Sequence, residues 1–174
     1  VPSNGHGTAR DLLSGYDRGQ ASANRLVVGR DMRTSSESLA RNLIEGITAS
    51  GAGCVDLGMV DTPMIYFATN HLGSCGGVQV TASHNPPRYN GFKISGQKAR
   101  PVGENTGLKE IKHIVSTLRR TPPIDTPPAV LKTDLWDAYR QHVLKFLKLP
   151  RRMRVVVDAS NGMAGKMVPA LFGG

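Results

Sequence analysis

The sequence predicts an α/β fold of three layers (α/β/α), in which helices cover both faces of a mixed, mostly parallel sheet of four strands. Short apolar runs bounded by glycine or polar residues indicate buried strands, and four such runs occur at 25–29, 54–60, 76–82 and 91–95. Helical patterns separate the first three runs, so these strands should be parallel. Only a polar loop separates the third run from the fourth, so the last strand should run antiparallel.

Capping and stop signals predict the ends of the first helix. Thr34 and Glu37 have the spacing of a capping box, which places the helix start at Thr34. Apolar residues at helical spacing follow, and the helix should end near Gly51 or Gly53.

The next helices are predicted from similar signals. Thr62 and Pro63 form an N-cap followed by proline at the first helical position, so a second helix should cover 64–71. A third helix is predicted over 106–120. The segment 121–128 contains four prolines in the pattern TPPIDTPP, which excludes regular helix or strand pairing and indicates a connector.

The last third of the chain repeats the alternation of helix and strand. A helix is predicted over 134–147, followed by a strand over 153–158, a turn over 159–165 and a helix over 166–172. The apolar stripe of the first of these helices consists of Trp136, Tyr139, Val143 and Phe146. We expect the apolar face of the final helix to have little to pack on, because no partner strands are predicted for it.

These patterns divide the chain into three parts. Residues 1–24 are rich in Gly, Ser and Asn and should be irregular. Residues 25–128 should form one α/β/α unit with its connector. Residues 129–174 should form a linking helix and the truncated start of a second unit.

Charge and composition restrict the possible partners. The chain has 22 Lys and Arg against 13 Asp and Glu, a formal net charge of +9, which favours anionic partners. Few aromatic residues lie among the basic ones, so a nucleic-acid-binding module has only the net charge in its favour. No apolar run approaches the length of a membrane span, so we do not expect the chain to bind or span a membrane. Two cysteines are too few for a disulfide framework, which fits a cytoplasmic protein.

The loop between the third and fourth predicted strands carries candidate chemistry, with the sequence TASHNPPRYNGFKIS over 81–95. Ser83 follows a strand at its carboxyl end, where ligands bind in open α/β sheets. His84 lies beside it, and Lys93 lies on the returning strand. A hydroxyl, hydrogen-bonding groups and a cation are the parts that phosphoryl transfer requires. A solvated turn capped by Ser, His and Asn explains the same residues equally well.

The motifs of the chain resemble those of the α-D-phosphohexomutases of the phosphomannomutase/phosphoglucomutase type. TASHNP followed by YNGFK is similar to the phosphoserine loop of that family, and GRDMR at 29–33 to its GRDxR segment. VDTPMIYF at 60–67 and VVVDASNGMAG at 155–165 resemble two further family segments, the second being the opening of domain II. Tyr16–Gly19 matches the family's YD-x-RG motif only loosely, so Arg18 receives no role.

The resemblance implies an intramolecular phosphotransferase, of the isomerase class, that moves phosphate between O1 and O6 of a hexose. Ser83 would be phosphorylated, donate its phosphoryl group to a hexose monophosphate (mannose, glucose or both) and recover it from a hexose 1,6-bisphosphate. Mg²⁺ would bind phospho-Ser83 and an acidic loop that lies in the second domain and is absent from this sequence. The chain is therefore expected to be inactive without the missing C-terminal domains.

The resemblance also implies roles for three further residues. Lys93 would act as general acid/base or would only stabilise charge. Arg33 would hold the phosphoryl group or the neighbouring domain, or would form a structural salt bridge. His84 would bind substrate, assist proton transfer or shape the loop. A catalytically inactive regulator that binds sugar phosphates is the main alternative function, and the choice of hexose cannot be read from these residues.

Overall fold

The computed structural model describes residues 24–118, 124–149, 151 and 153–173. Within these ranges the chain forms five strands and five α-helices, with short 3₁₀ turns at Gln97–Ala99 and Glu104–Thr106. The strands are β1 (Arg25–Arg30), β2 (Gly53–Met59), β3 (Gly76–Val80), β4 (Phe92–Gly96) and β5 (Val130–Lys132). The helices are α1 (Ser36–Ala49), α2 (Thr62–His71), α3 (Leu108–Thr117), α4 (Trp136–Leu144) and α5 (Ala164–Phe172). The predicted irregular segment 1–24, with Arg18, lies almost entirely outside the described residues.

The strands form one mixed sheet in the order β4-β3-β1-β2-β5. β1 pairs in parallel with β2 and β3, and β3 pairs antiparallel with β4. This arrangement confirms the predicted fold class. The predicted count of four strands is wrong, because β5 adds a parallel edge strand to β2. β5 has three residues and follows the proline-rich connector, so it is too short to show a periodic pattern.

Two apolar clusters hold the helices on the two faces of the sheet. Val27 and Val28 are both fully buried, and their side chains point to opposite faces because neighbours in a strand alternate. Val28 packs in a cluster with Ala40 and Ile47 of α1. Val27 packs in the larger cluster with residues of α2, α4 and α5, namely Met64, Ile65, Ala68, Tyr139 and Leu171.

The predicted starts of the first two helices need correction. α1 begins at Ser36 with Ser35 as N-cap, and no side chain caps it, so the Thr34 capping box is absent. Glu37 instead forms an ion pair with Arg30 at 3.4 Å, and Ser36, the first helical residue, donates its hydroxyl to Asp31. The N-cap of α2 is Asp61, one residue before the predicted Thr62, and its carboxylate accepts a hydrogen bond from the Met64 amide.

The second half of the chain differs more from the prediction. α3 and α4 are shorter than predicted, and Phe146 of the predicted stripe is 74 % exposed. The strand predicted over 153–158 is wrong: no described strand pairs with it, and Val156 is 97 % exposed. An apolar run without a partner strand has no ladder to join.

The final helix packs better than expected. Leu171 of α5 is buried, and its carbonyl accepts a hydrogen bond from Arg140 Nε. Lys166 Nζ donates to the carbonyl of Met59 at the end of β2. The domain boundary at residue 128 stays a prediction, although β5, which follows it, joins the sheet. Within the described residues, no helix is long and apolar enough to cross a bilayer.

Candidate active site

The loop of residues 81–91 lies at the carboxyl end of the two central strands. The Asp31 amide donates to the Val80 carbonyl at 3.0 Å and so joins the ends of β1 and β3. The Thr81 amide donates to the Gly91 carbonyl at 2.9 Å and closes the base of the loop. The antiparallel return into β4 matches the predicted hairpin. This is the edge of an α/β sheet where ligands bind.

Ser83 has a left-handed backbone conformation, with φ 55°. This conformation costs a residue other than glycine roughly 1–2 kcal/mol. Both backbone polar groups of Ser83 are bound: its amide donates to Thr81 Oγ1 at 2.8 Å, and its carbonyl accepts from Arg33 Nη2 at 2.7 Å. The residue is exposed, so the loop presents the Ser83 hydroxyl to solvent.

His84 lies beside that hydroxyl. The Ser83 Oγ atom is 3.3 Å from His84 Nδ1 and 3.2 Å from His84 Nε2, so it lies close to both ring nitrogens. A neutral imidazole accepts a proton through one nitrogen, and an imidazolium donates through both. The structure therefore brings together the predicted nucleophile and a group able to exchange its proton.

The Arg33 side chain binds the backbone of the loop. Its Nη2 donates to the carbonyls of Ser83 (2.7 Å) and Asn85 (2.8 Å), and its Nη1 donates to those of Pro86 (3.0 Å) and Tyr89 (3.2 Å). Its Nε donates to Asp31 at 3.2 Å. A guanidinium has five N–H donors, so these five bonds leave none for a phosphoryl group. Of the predicted roles for Arg33, the structure contains the structural salt bridge.

Asp31 received no role from the sequence. It is only 7 % exposed, and its carboxylate accepts from Ser36 Oγ (2.5 Å), Thr81 Oγ1 (2.7 Å) and both the amide and Nε of Arg33. One buried carboxylate thus connects β1, the start of α1 and the Ser83 loop. The sequence did contain a signal for this role. An acidic residue follows β1 at its carboxyl end, and a threonine follows β3 at its carboxyl end.

The far end of the loop is also held. Asn90 Nδ2 donates to Ser35 Oγ and Ser36 Oγ, each at 2.9 Å, and Asn90 Oδ1 accepts from the Gly91 amide at 2.8 Å. Asn90 therefore links the loop to the start of α1.

Lys93 lies on β4, as predicted, in register with Gln79 of β3. It is exposed and makes no hydrogen bond or ion pair with another described residue. The structure therefore leaves its ammonium group available but does not join it to Ser83.

Gln79 is buried, and its Nε2 donates to the Val60 carbonyl at 2.7 Å.

The described residues do not provide a metal site by themselves. No group of three or more His, Cys, Asp or Glu side chains within the described ranges has a metal-binding arrangement. Asp31 is the carboxylate nearest to Ser83 in the hydrogen-bond network, and it already accepts hydrogen bonds from four donors. Mg²⁺ prefers octahedral oxygen ligands, and these would have to come from outside the described residues.

Comparisons with known proteins agree with the fold. Residues 10–121 match the family model for the phosphoglucomutase/phosphomannomutase α/β/α domain I. A phosphomannomutase of Escherichia coli is 37% identical over 150 residues, covering 84% of this chain and 33% of the relative. Phosphohexose mutases of Xanthomonas campestris are 38% identical over 148 residues.

Solved structures give the same result. A phosphoglucomutase/phosphomannomutase family protein from Burkholderia thailandensis superimposes with a TM-score of 0.72 at 34% identity, covering 86% of this chain and 33% of that one. The chain belongs to the phosphoglucomutase/phosphomannomutase family, which confirms the resemblance found in the motifs. It spans about a third of the length of the curated relatives that it matches.

Proposed function

We propose that this chain is the phosphoryl-carrying part of a phosphohexomutase that interconverts hexose 1-phosphate and hexose 6-phosphate, with mannose or glucose as the sugar. The observation that supports this most directly is the presentation of Ser83. Its backbone is bound on both sides in a left-handed conformation, and its exposed hydroxyl lies 3.2 Å from an imidazole nitrogen of His84.

The proposed reaction has two phosphoryl transfers. In the first, a sugar hydroxyl oxygen bonds to the phosphorus on Ser83, the bond between phosphorus and Ser83 Oγ breaks, and the sugar proton leaves to a base. In the second, Ser83 Oγ takes the other phosphoryl group of the sugar bisphosphate, and the sugar oxygen regains a proton. We propose that His84 exchanges the proton of Ser83 Oγ in both directions, because both ring nitrogens lie within 3.3 Å of that oxygen.

Lys93 is proposed as a second proton-transfer group, with charge stabilisation as the alternative. Arginine keeps the positive charge but does not release its proton. Both Lys93→Arg and Lys93→Met should therefore lose most turnover in the full-length protein. Substantial recovery in Lys93→Arg would assign Lys93 to charge stabilisation only.

The remaining parts of the site are proposed to come from the rest of the protein. These are the carboxylates that hold Mg²⁺ against the phosphate of Ser83, the sugar-recognition loop and the contacts to the distal phosphate. Bound Mg²⁺ would neutralise charge on the phosphoryl group. Hexose 1,6-bisphosphate is the proposed activator and intermediate. Free Cys54 and Cys75 are compatible with the cytoplasmic location we propose.

The test is to map phosphate and turnover in the full-length protein. Intact-mass analysis and peptide mapping should find partial phosphorylation at Ser83, and Ser83→Ala should lower turnover of glucose 1-phosphate and mannose 1-phosphate by orders of magnitude. Ser116→Ala, an exposed serine on α3, is the matched control. Phosphate on another residue, or normal turnover in Ser83→Ala, would refute the proposal. Sugar-phosphate binding without turnover in the wild type would instead indicate a regulator.

The chain itself provides a second test. In a coupled assay with glucose 1-phosphate, Mg²⁺ and a bisphosphate activator, the 174-residue chain should show no turnover while the full-length protein does. Orientation by remote contacts is worth up to ~7–11 kcal/mol in well-oriented systems, and we propose that the rest of the protein supplies those contacts. Turnover by the chain above background would contradict a site shared between domains.

A further inference from the structure

The Arg33 guanidinium has an unusual set of partners. Four of its five hydrogen bonds go to backbone carbonyls of a single loop, those of Ser83, Asn85, Pro86 and Tyr89. The fifth goes to the carboxylate of Asp31. The Arg33 side chain is only 14% exposed. A cation that served to bind a phosphorylated ligand would direct its donors toward solvent, whereas these donors are directed into the loop.

Asp31 fixes the position of Arg33. Its Oδ2 atom accepts from Arg33 Nε, and its Oδ1 atom accepts from the Arg33 amide at 3.0 Å and from Ser36 Oγ. Asp31 Oδ2 also accepts from Thr81 Oγ1, and Thr81 Oγ1 accepts from the Ser83 amide. The carboxylate therefore reaches Ser83 by two routes, through Arg33 to its carbonyl and through Thr81 to its amide.

These two routes meet at the residue with the strained backbone. Ser83 is left-handed, and both its amide and its carbonyl are bound only through this network. The backbone angles of a residue fix the direction of its Cα–Cβ bond and limit the rotamers of its side chain. The network therefore fixes the Cα–Cβ direction of Ser83 and restricts where Ser83 Oγ can lie relative to His84.

We propose that Arg33 is a positioning residue that fixes the left-handed conformation of Ser83, and that it does not bind the transferred phosphoryl group. The kinetic part of this inference rests on the proposed phosphotransfer at Ser83. A misplacement of about 1 Å is able to cost roughly 100-fold in rate. Arg33 acts through the loop backbone, so its loss should lower kcat and leave KM for the sugar phosphate nearly unchanged.

The substitution Arg33→Lys separates shape from charge, because lysine keeps the charge but lacks the planar fork of donors. In the full-length protein, Arg33→Lys should lower kcat by about 100-fold with little change in KM. Arg41→Lys, at an exposed position of α1, is the matched control and should leave both parameters unchanged. Wild-type kcat in Arg33→Lys, or a loss confined to KM, would overturn the inference.

Amide hydrogen exchange gives a readout that does not depend on activity. Exchange in the peptide that covers Ser83–Tyr89 should become faster in Arg33→Lys than in Arg41→Lys, while peptides of β1 and β3 stay protected. Unchanged exchange in the loop would overturn the inference, even if the wild type has no mutase activity and the proposed function fails. Should Arg33→Lys not fold, Thr81→Val removes the second route at similar side-chain volume. It should also accelerate loop exchange, and unchanged loop exchange in a folded Thr81→Val variant would overturn the inference.

Discussion

Gly29 lies two residues before Asp31, against Val60 and Ile65 of the larger core cluster. A Cβ atom built on Gly29 would overlap Val60 Cγ2 and would lie 2.8 Å from Ile65 Cδ1 and 3.2 Å from Gln79 Oε1. Val60 is 0% exposed and Ile65 is 1% exposed, so neither side chain has free space to move into. The substitution Gly29→Ala should therefore destabilise the fold by overpacking.

The size of the effect follows from two opposing contributions. Overpacking in a well-packed core costs about 1–3 kcal/mol. Replacing glycine restricts the unfolded chain and offsets about 0.4–1 kcal/mol. The net loss should be about 1–2 kcal/mol. For a chain of this size, each kcal/mol lowers Tm by roughly 2–4 °C.

Gly53→Ala is the matched control, since it adds the same methyl group to a strand glycine. The nearest atom to a Cβ on Gly53 is Arg25 Cγ at 3.4 Å, an ordinary contact. Gly53→Ala should therefore be neutral or slightly stabilising. Thermal and urea unfolding, followed by circular dichroism, compares both variants with the wild type. Equal stability of Gly29→Ala and Gly53→Ala would refute the packing described for β1 and α2.

Three further predictions concern buried ionisable groups. Burial raises the pKa of Asp61, so this carboxyl favours the folded state below its ordinary pKa and loses that contribution as pH rises through the raised value. Asp61→Asn keeps a cap for Met64, and urea unfolding should show it gaining stability relative to the wild type from pH 3 toward neutral pH. Burial, with the charge of Asp56 adding to it, raises the pKa of Cys54 to about 12, so mass spectrometry should find Cys54 unlabelled by iodoacetamide until the protein unfolds. Burial and the charge of Asp61 raise the pKa of Tyr139 to about 12, so Tyr139→Phe should remove a late phase from the alkaline absorbance titration.

The sequence predicts the four strands that carry the site because each has a clear local signal. β1, β2 and β3 are apolar runs bounded by turns, and the polar loop before β4 implies its reversed direction. The two errors in the strand prediction, the missed β5 and the wrong strand over 153–158, have the same physical origin. β5 is a strand only because β2 offers it an edge, and residues 153–158 have a strand's composition but no described strand beside them. Pairing is a tertiary property that local composition does not contain.

In the candidate site, too, contacts between sequence neighbours could be predicted and contacts between distant residues could not. Ser83 and His84 are neighbours in the chain, so their proximity was available from the motif. The four loop partners of Arg33 lie 50 to 56 residues away and are backbone carbonyls, which no residue pattern marks. The sequence therefore selected Arg33 as a site residue but could not show that its donors are directed at the loop.

The partners of Arg33 also bear on how this loop tolerates change over time. Within the loop, the Arg33 guanidinium binds only main-chain oxygens, so these bonds depend on the path of the loop backbone and not on its side chains. Exposed positions such as Arg88 can then be substituted, because a substitution there removes none of the five hydrogen bonds of Arg33. Substitutions at these exposed positions are compatible with an unchanged presentation of Ser83, so new ligand contacts are able to arise here while the conformation of Ser83 is kept.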